Sequence, residues 1–282
     1  MKRKKTARLT SPLTLILLGS VVLLFLAGAG FRLYQLYNQR SWNYRGNFIV
    51  LDTQKLELKV YLFHRSDILA YQLPQDVYAE IPGGYGTYKL SNVKELAQTV
   101  SDGNTLIAAS VSRTFGIPID AVFSQLYPFD RLYLWYRDHT VEETQNPKVL
   151  SDKYIYREKE RADGSTIETV DQNRADNYFA DTLWEEGIVN EGLTVGVFNA
   201  STTPAVAKNA SQILERIGFH IIDLSNWDKE APEMCELRVK EARLLSSVSV
   251  ERINSIFHCT VSEIASRERF DIQLIFAKEP QL

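Results

Sequence analysis

The sequence predicts a mixed α/β (α+β) protein in which an N-terminal transmembrane helix precedes two small α/β domains. Three observations lead to this fold class. Residues 11–31 carry no charged side chain. Short segments that alternate apolar and polar residues recur along the rest of the chain, as they do in half-buried strands. Segments with apolar residues at helical spacing separate several of these strands, most clearly between Gly192 and Leu224.

The stretch from Gly192 to Leu224 has the pattern of a strand, a turn, a helix and a second strand. We expect Thr203 to cap the helix and Pro204 to occupy its first position. Gly218 is expected to end it, because glycine readily adopts a left-handed conformation. Across residues 192–282 the order is strand, helix, strand, strand, helix, strand. This βαββαβ-like order permits a split βαβ sheet.

The uncharged run at residues 11–31 is long enough to cross a membrane. At about 1.5 Å per residue it spans roughly 30 Å, the thickness of a hydrocarbon core. A cleaved signal peptide is the alternative, because small residues stand at positions 27–30, but its apolar region is usually only about 7–15 residues long. Basic residues should keep the N-terminus in the cytoplasm; they are Lys2, Arg3, Lys4, Lys5 and Arg8. The bulk of this single-pass cell-membrane protein would then be extracytoplasmic.

The charge balance argues against nucleic acid as a partner. After residues 1–10, the chain carries 27 basic and 35 acidic side chains. Binding to nucleic acid needs a basic surface that neutralises phosphates. The partner that composition does indicate is the lipid bilayer, through residues 11–31.

Composition shifts and turn signals divide the chain into successive units. The expected units are a cytoplasmic basic tail (1–10), the transmembrane helix (11–31), a tether (32–45), a first α/β domain (46–139), a linker with a hairpin and a helix (140–191) and a C-terminal α/β domain (192–282). Aromatic residues of the tether either form an interfacial belt or are simply part of the linker; they are Tyr34, Tyr37, Trp42 and Tyr44.

Local patterns predict further elements inside these units. Residues 47–63 form two strands, and residues 68–73 and 77–81 suggest another strand pair. Asp163-Gly164 predicts a hairpin turn. The acidic run from Trp184 to Glu186 is expected to be a solvated helix end.

The two cysteines are candidates for a disulfide. Cys235 and Cys259 are 24 residues apart in an expected extracytoplasmic region that permits disulfides. The predicted order would bring Cys259, at the end of a helix, towards the start of the strand that holds Cys235. Two partly buried thiols are the alternative. The chain has no CxxC spacing and four histidines, so no metal site is expected.

Two polar segments are candidates for ligand binding. Asn199, Ser201 and Thr202 precede a predicted helix, where free backbone N–H groups can bind an anion. Capping by one of the residues Ser201 to Thr203 uses the same groups and is the more frequent arrangement. The segment from His64 to Asp67 fits half of a phosphate or metal site, but we favour a polar turn between strands.

Several blocks resemble known families. Residues 73–83 (LPQDVYAEIPG), 88–92 and 116–120 are similar in order and spacing to the LytR-CpsA-Psr family. Residues 193–218, with VGVFNAS and an alanine-rich helix, and residues 271–276 resemble the LytR C-terminal domain. The resemblance implies an extracytoplasmic bacterial cell-envelope protein with a membrane anchor.

Members of the LytR-CpsA-Psr family transfer glycopolymers from a polyprenyl pyrophosphate carrier to peptidoglycan, using arginines and an aspartate with magnesium. The resemblance implies Asp76 and Lys89 as catalytic candidates. If the protein is an enzyme, Arg65 and Asp67 of the polar segment named above are further candidates. Gln75 stands where the family has arginine, and glutamine cannot form a charged, forked contact with phosphate. The first domain therefore resembles a reduced family member. No cofactor is expected, and magnesium would be needed only by an enzyme.

The leading hypothesis is a non-catalytic envelope protein that binds peptidoglycan, a cell-wall glycopolymer or an envelope protein. The alternative is a phosphotransferase that attaches a polyprenyl-pyrophosphate-linked glycopolymer to peptidoglycan. A scaffold that only connects other proteins is the third hypothesis. The sequence leaves the question of catalysis open.

Overall fold

The computed structural model describes residues 12–43, 45–63, 67–141, 148–149, 155–263 and 269–278. The predicted basic tail, Tyr44, Arg65 and most of residues 140–154 lie outside these ranges. The helices are α1 (Pro12–Asn38), α2 (Leu90–Ala97), α3 (Gly103–Phe115), α4 (Pro128–Thr140), α5 (Gln172–Leu183), α6 (Glu186–Glu191), α7 (Val206–Arg216) and α8 (Val248–Phe257). The strands are β1 (Phe48–Asp52), β2 (Glu57–Tyr61), β3 (Ile68–Gln72), β4 (Tyr78–Ile81), β5 (Gly86–Lys89), β6 (Ala121–Val122), β7 (Lys148–Val149), β8 (Tyr156–Glu160), β9 (Thr166–Val170), β10 (Thr194–Asn199), β11 (His220–Asn226), β12 (Cys235–Val239), β13 (Thr260–Glu263) and β14 (Ile272–Phe276).

Helix α1 is the one helix in the described ranges that is long and apolar enough to cross a membrane. Its apolar side chains face outward rather than into the fold. The helix continues past Phe31 to Asn38, into the segment predicted as a tether. Trp42 does not belong to an interfacial belt as predicted, because it is buried and its indole N–H donates to the carbonyl of Gly46 (2.9 Å).

The first sheet has the strand order β6-β1-β2-β3-β7. Strands β1, β2 and β3 form an antiparallel meander, and β6 and β7 extend it in parallel at its two edges. The two strands predicted within residues 47–63 are therefore confirmed. The predicted pairing of the next two segments is wrong: β3 pairs with β2, and β4 forms a separate hairpin with β5.

The second sheet has the order β11-β10-β14-β12-β13. The strands of β10-α7-β11 are parallel neighbours, and so are those of β12-α8-β13. Neither unit is split by an inserted strand, so the split βαβ sheet that the order permitted does not form. Strand β14 instead lies between the two units, parallel to β10 and antiparallel to β12. All five of its residues are buried, as expected for a central strand covered on both faces.

One continuous apolar core connects the two sheets. It includes Ile49 and Phe115 beside the first sheet and Ile217 and Leu274 beside the second. Phe179 of α5 lies in the same core and is fully buried. The helix predicted within residues 140–191 thus packs between the two α/β segments that were predicted as separate domains.

The second sheet carries a disulfide between Cys235 and Cys259, whose Cα atoms are 4.7 Å apart. Strands β12 and β13 explain this proximity, because Glu236 and Thr260, which follow the two cysteines, are paired neighbours. Strand β13 was not predicted from the sequence. It provides the pairing that brings the end of α8 next to the start of β12.

Removing this disulfide is expected to destabilise the protein. A double Cys235→Ala, Cys259→Ala variant should lose about 3 kcal/mol of unfolding free energy, because the loop between the cysteines is no longer closed in the unfolded chain. Denaturant unfolding of the detergent-solubilised protein measures the loss. Wild-type protein treated with a reductant should show a similar decrease. An unfolding midpoint that does not respond to the reductant would argue against a stabilising bond.

Candidate functional site

The residues that the family resemblance assigns to catalysis lie at one end of the β4–β5 hairpin. The Nζ atom of Lys89 is 3.1 Å from Oδ1 of Asp76. The side chain of Asp76 is 85% exposed and that of Lys89 is 41% exposed. The hydrogen bond and the charge of Asp76 raise the pKa of Lys89. The described residues thus give Asp76 one cationic neighbour at hydrogen-bond distance.

The other catalytic candidates contribute less to this end of the hairpin. Arg65 lies outside the described residues. The backbone carbonyl of Asp67 accepts a hydrogen bond from the N–H of Leu62 (3.3 Å), which places Asp67 next to β2. The described residues contain no group of three or more histidine, cysteine, aspartate or glutamate side chains that could hold a metal ion. Asp76, already paired with Lys89, does not by itself fit a protein-built magnesium site.

The candidate anion site at residues 199–202 is organised by its own side chains. The Oδ1 atom of Asn199 accepts hydrogen bonds from the backbone N–H (3.0 Å) and the hydroxyl (2.7 Å) of Ser201. The amide of Asn199 donates to the carbonyl of Thr203 (3.0 Å). Thr202 is exposed in the same loop. These contacts shape the loop and use the polar atoms of Asn199 and Ser201.

The predicted helix cap is wrong. Helix α7 begins at Val206, and the residue before it, Ala205, has a φ angle of 65° and makes no side-chain cap. Thr203 and Pro204 remain in the loop, because Asn199 holds the carbonyl of Thr203. The first turn of α7 therefore keeps backbone N–H groups that no capping side chain uses.

A polar cleft of about 300 Å³ lies between the β4–β5 hairpin, the β8–β9 hairpin and one side of α7. Four basic side chains line it: Arg113, Arg157, Lys159 and Lys208. Glu80 is the one acidic residue among the lining residues. We call this region the basic cleft. It contrasts with the acidic balance of the chain as a whole.

The β8–β9 hairpin supplies its basic face through a simple alternation. Residues 156–161 read Tyr-Arg-Glu-Lys-Glu-Arg. Successive side chains of a strand point to opposite faces. Arg157 and Lys159 therefore share the face that lines the cleft, with Thr169 and Ile167 opposite them on β9. Residues 158 and 160, both glutamate, lie on the other face.

Charge within the cleft is only partly compensated. Arg113 forms an ion pair with Glu80 (2.8 Å). The side chains of Arg157, Lys159 and Lys208 are exposed and have no ion-pair partner among the described residues. Thr114, which lines the cleft, is buried, and its hydroxyl has no hydrogen-bond partner in the described part of the chain. The cleft thus offers three uncompensated cations to an anion.

The Asp76–Lys89 pair adjoins the rim of the basic cleft. Lys89 lies directly opposite Tyr78 in the β4–β5 ladder, and Tyr78 lines the cleft. The guanidinium of Arg161 lies 5.0 Å from the centre of the Tyr78 ring. A further arginine therefore extends the cationic surface from the cleft towards Lys89.

A buried ionic cluster fixes the elements behind the site. The guanidinium of Arg252, on α8, donates to both carboxylate oxygens of Asp120 and to Oε1 of Glu185 (2.8 Å). All three residues are almost completely buried. Asp120 also accepts a hydrogen bond from the backbone of Ile49 (2.7 Å). The prediction that residues 184–186 form a solvated helix end is wrong for Glu185, whereas Trp184 is exposed.

Burial raises the pKa of Glu185 to about 7, and the nearby carboxylate of Asp120 also raises it. The positive charge of Arg252 acts in the opposite direction. One guanidinium faces two carboxyl groups, so a proton on Glu185 leaves the cluster electrically balanced. Asp120, Glu185 and Arg252 come from the three successive segments predicted at residues 46–139, 140–191 and 192–282.

Comparison with known proteins gives no identification. No family model, curated protein or solved structure matches this chain.

Replacing Glu185 with glutamine is expected to remove part of the pH dependence of stability. The pKa of Glu185 is about 7 in the folded protein, against an ordinary value of 4.5. Between these values the folded protein binds more protons than the unfolded chain, so its unfolding free energy falls as pH rises. The fall due to this group is about 3 kcal/mol at most. Unfolding of Glu185→Gln and wild type at about pH 5 and about pH 7.5 measures it.

The exposed neighbour Glu186 provides the matched control. Glu186→Gln should retain the wild-type difference between the two pH values, because its carboxyl group is not buried in the cluster. If Glu185→Gln retained the full wild-type difference as well, the buried carboxyl of Glu185 would not be the group that titrates.

Proposed function

We propose that this protein is a single-pass membrane protein of the cell envelope that binds a phosphate-bearing wall polymer in the basic cleft and does not itself catalyse its transfer. The apolar helix α1 supports the membrane anchor. The resemblance of residues 73–83 to the LytR-CpsA-Psr family supports the envelope location. The observation that carries the proposal is the set of uncompensated cations in the cleft.

The chemistry of the cleft favours a polyanion over a neutral glycan. Arg157 can make paired hydrogen bonds with a phosphate group, and Lys159 and Lys208 can supply point charges. A local cationic surface on an otherwise acidic protein concentrates an anionic ligand at that place. The cleft is open to solvent, so a chain can occupy it without being enclosed.

The exposed state of Asp76 supports a binding function over catalysis. A catalytic carboxylate that works with a pyrophosphate would be expected to lie within a group of converging cations. Among the described residues, Asp76 forms its ion pair with Lys89 (Nζ to Oδ1, 3.1 Å). Gln75 cannot replace the arginine that the family places beside this aspartate. The larger group of cations lies in the cleft rather than around Asp76.

One observation favours the phosphotransferase alternative. Lys89 adjoins Tyr78 on the rim of the cleft, so a polymer phosphate held by the basic cleft would approach Asp76. Under this alternative the cleft positions a donor or an acceptor chain, and Asp76 acts on it. Both functions involve binding of the same polymer, and only the phosphotransferase converts it to product.

A double Arg157→Gln, Lys159→Gln variant is expected to weaken binding of poly(glycerol phosphate), used as the probe polymer, by about tenfold or more. Two charge-assisted contacts are lost, so the slope of log affinity against log salt should become less steep by about 1 to 2. Fluorescence titration of the full-length protein in nanodiscs at several salt concentrations measures both quantities.

The same hairpin provides the matched control. Glu158→Gln, Glu160→Gln changes two residues on the opposite face, so affinity should stay the same or rise slightly. Equal affinity for all three proteins would contradict binding in the cleft. Failure of wild type to bind the polymer would leave an envelope protein as the partner to seek.

Asp76→Ala distinguishes binding from catalysis. We expect the full-length protein with magnesium and a lipid-pyrophosphate glycan to give no product linked to peptidoglycan, and Asp76→Ala to bind polymer as wild type does. Gel analysis of radiolabelled glycan measures transfer. Transfer by wild type that is lost in Asp76→Ala would establish the phosphotransferase instead.

A further inference from the structure

Helix α4 turns an apolar face away from the protein. Leu132, Trp135 and Tyr136 lie on one side at helical spacing and are 60%, 57% and 56% exposed. Asp130 and Leu134, on the other side, are buried. A helix on the surface of a soluble protein normally shows the reverse pattern. A cluster of large exposed apolar residues of this kind marks a surface that a membrane or another protein covers.

The position of α4 indicates what covers this face, because its first turn is attached to the end of α1. The rings of Tyr37 and Phe129 meet edge to face with their centres 5.9 Å apart. The carboxylate of Asp130 accepts hydrogen bonds from the backbone N–H groups of Ser41 (2.7 Å) and Trp42 (3.4 Å). Burial raises the pKa of Asp130, and these two hydrogen bonds oppose that rise.

The connection between α1 and the rest of the fold is closely packed. Trp42 stacks on Phe48 of β1, with ring centres 5.1 Å apart, and meets Tyr133 of α4 edge to face at the same distance. The side chain of Trp42, between α1 and β1, is therefore packed between a ring of β1 and a ring of α4. These contacts place α4 beside the end of α1.

The junction of α1 and α4 lies close to the headgroup layer of a bilayer. Phe31 is the last residue of the uncharged run, and Tyr37 follows six residues later. At about 1.5 Å per residue, Tyr37 lies about 9 Å beyond the hydrocarbon core if α1 is upright. Tilt reduces this height. The headgroup layer is about 5–8 Å thick on each side.

We propose that the outer face of α4, formed by Leu132, Trp135 and Tyr136, docks on the outer leaflet of the membrane next to α1. Indole and phenol rings prefer this boundary, where the ring is in an apolar layer and the polar atom stays hydrated. Arg131, exposed beside this face, is placed to contact lipid phosphates. The inference rests on α1 crossing the bilayer, which is part of the proposed function, and it is independent of polymer binding.

Quenching of tryptophan fluorescence by brominated lipid tests the docking. Full-length protein is reconstituted into phosphatidylglycerol–phosphatidylethanolamine vesicles that contain lipid brominated near the top of the acyl chain. We expect lipid quenching to be about halved in Trp135→Phe, because Trp135 is the tryptophan on the docked face. Trp184→Phe is the matched control, since Trp184 is 60% exposed in a different part of the protein.

Aqueous iodide gives the complementary measurement. Trp184 should be quenched by iodide in vesicles, whereas Trp135 should be protected. Flotation of the vesicles first establishes whether the protein is inserted. Absence from the floating fraction would overturn the anchor and the docking together. Insertion with equal lipid quenching in wild type, Trp135→Phe and Trp184→Phe would overturn the docking alone.

Discussion

The contact of Arg252 with Asp120 and Glu185 is the constraint on which the arrangement of the two sheets depends. A charge buried without partners is very costly, and α8 packs here with Arg252 held by Asp120 and Glu185. Buried ion pairs often add little net stability compared with apolar contacts. Their effect here is to select one arrangement: the three residues belong to α8, the strand-edge segment before β6 and the junction between α5 and α6.

A second buried arginine extends this arrangement towards the cleft. Arg216, at the end of α7, donates to Asp176 (2.6 Å) and to the side chain of Gln172 (2.9 Å), both on α5. Gln172 in turn donates to the carbonyl of Thr114 at the end of α3 (2.9 Å). These contacts link α7, α5 and α3, which carry or support the walls of the basic cleft. The network therefore holds α3, which carries Arg113, in a fixed position relative to α7, which carries Lys208.

The sequence was sufficient to predict those elements whose formation depends on residues close together in the chain. The hairpin at Asp163-Gly164 formed because glycine at 164 takes a positive φ of 79°, and the helix that follows it is capped locally, by Asp171. The predictions were wrong where the burial or pairing of a residue depends on a partner far away in the sequence. Glu185 looked like part of a solvated run, yet its partner Arg252 is 67 residues away. The charge alternation of β8 was visible, but nothing local showed that its basic side would face α7.

In the β8–β9 hairpin, basic and acidic side chains lie on opposite faces, and this separation lowers the stability of the hairpin. Glu158 and Glu168 are direct neighbours across the β8–β9 ladder. Like charges at such positions destabilise a hairpin, by a few tenths of a kcal/mol or more at an exposed site. A hairpin that only had to be stable would place opposite charges across the strands. Under the proposed function, the glutamates on the outer face repel a polymer phosphate, and Arg157 and Lys159 on the inner face attract it into the cleft.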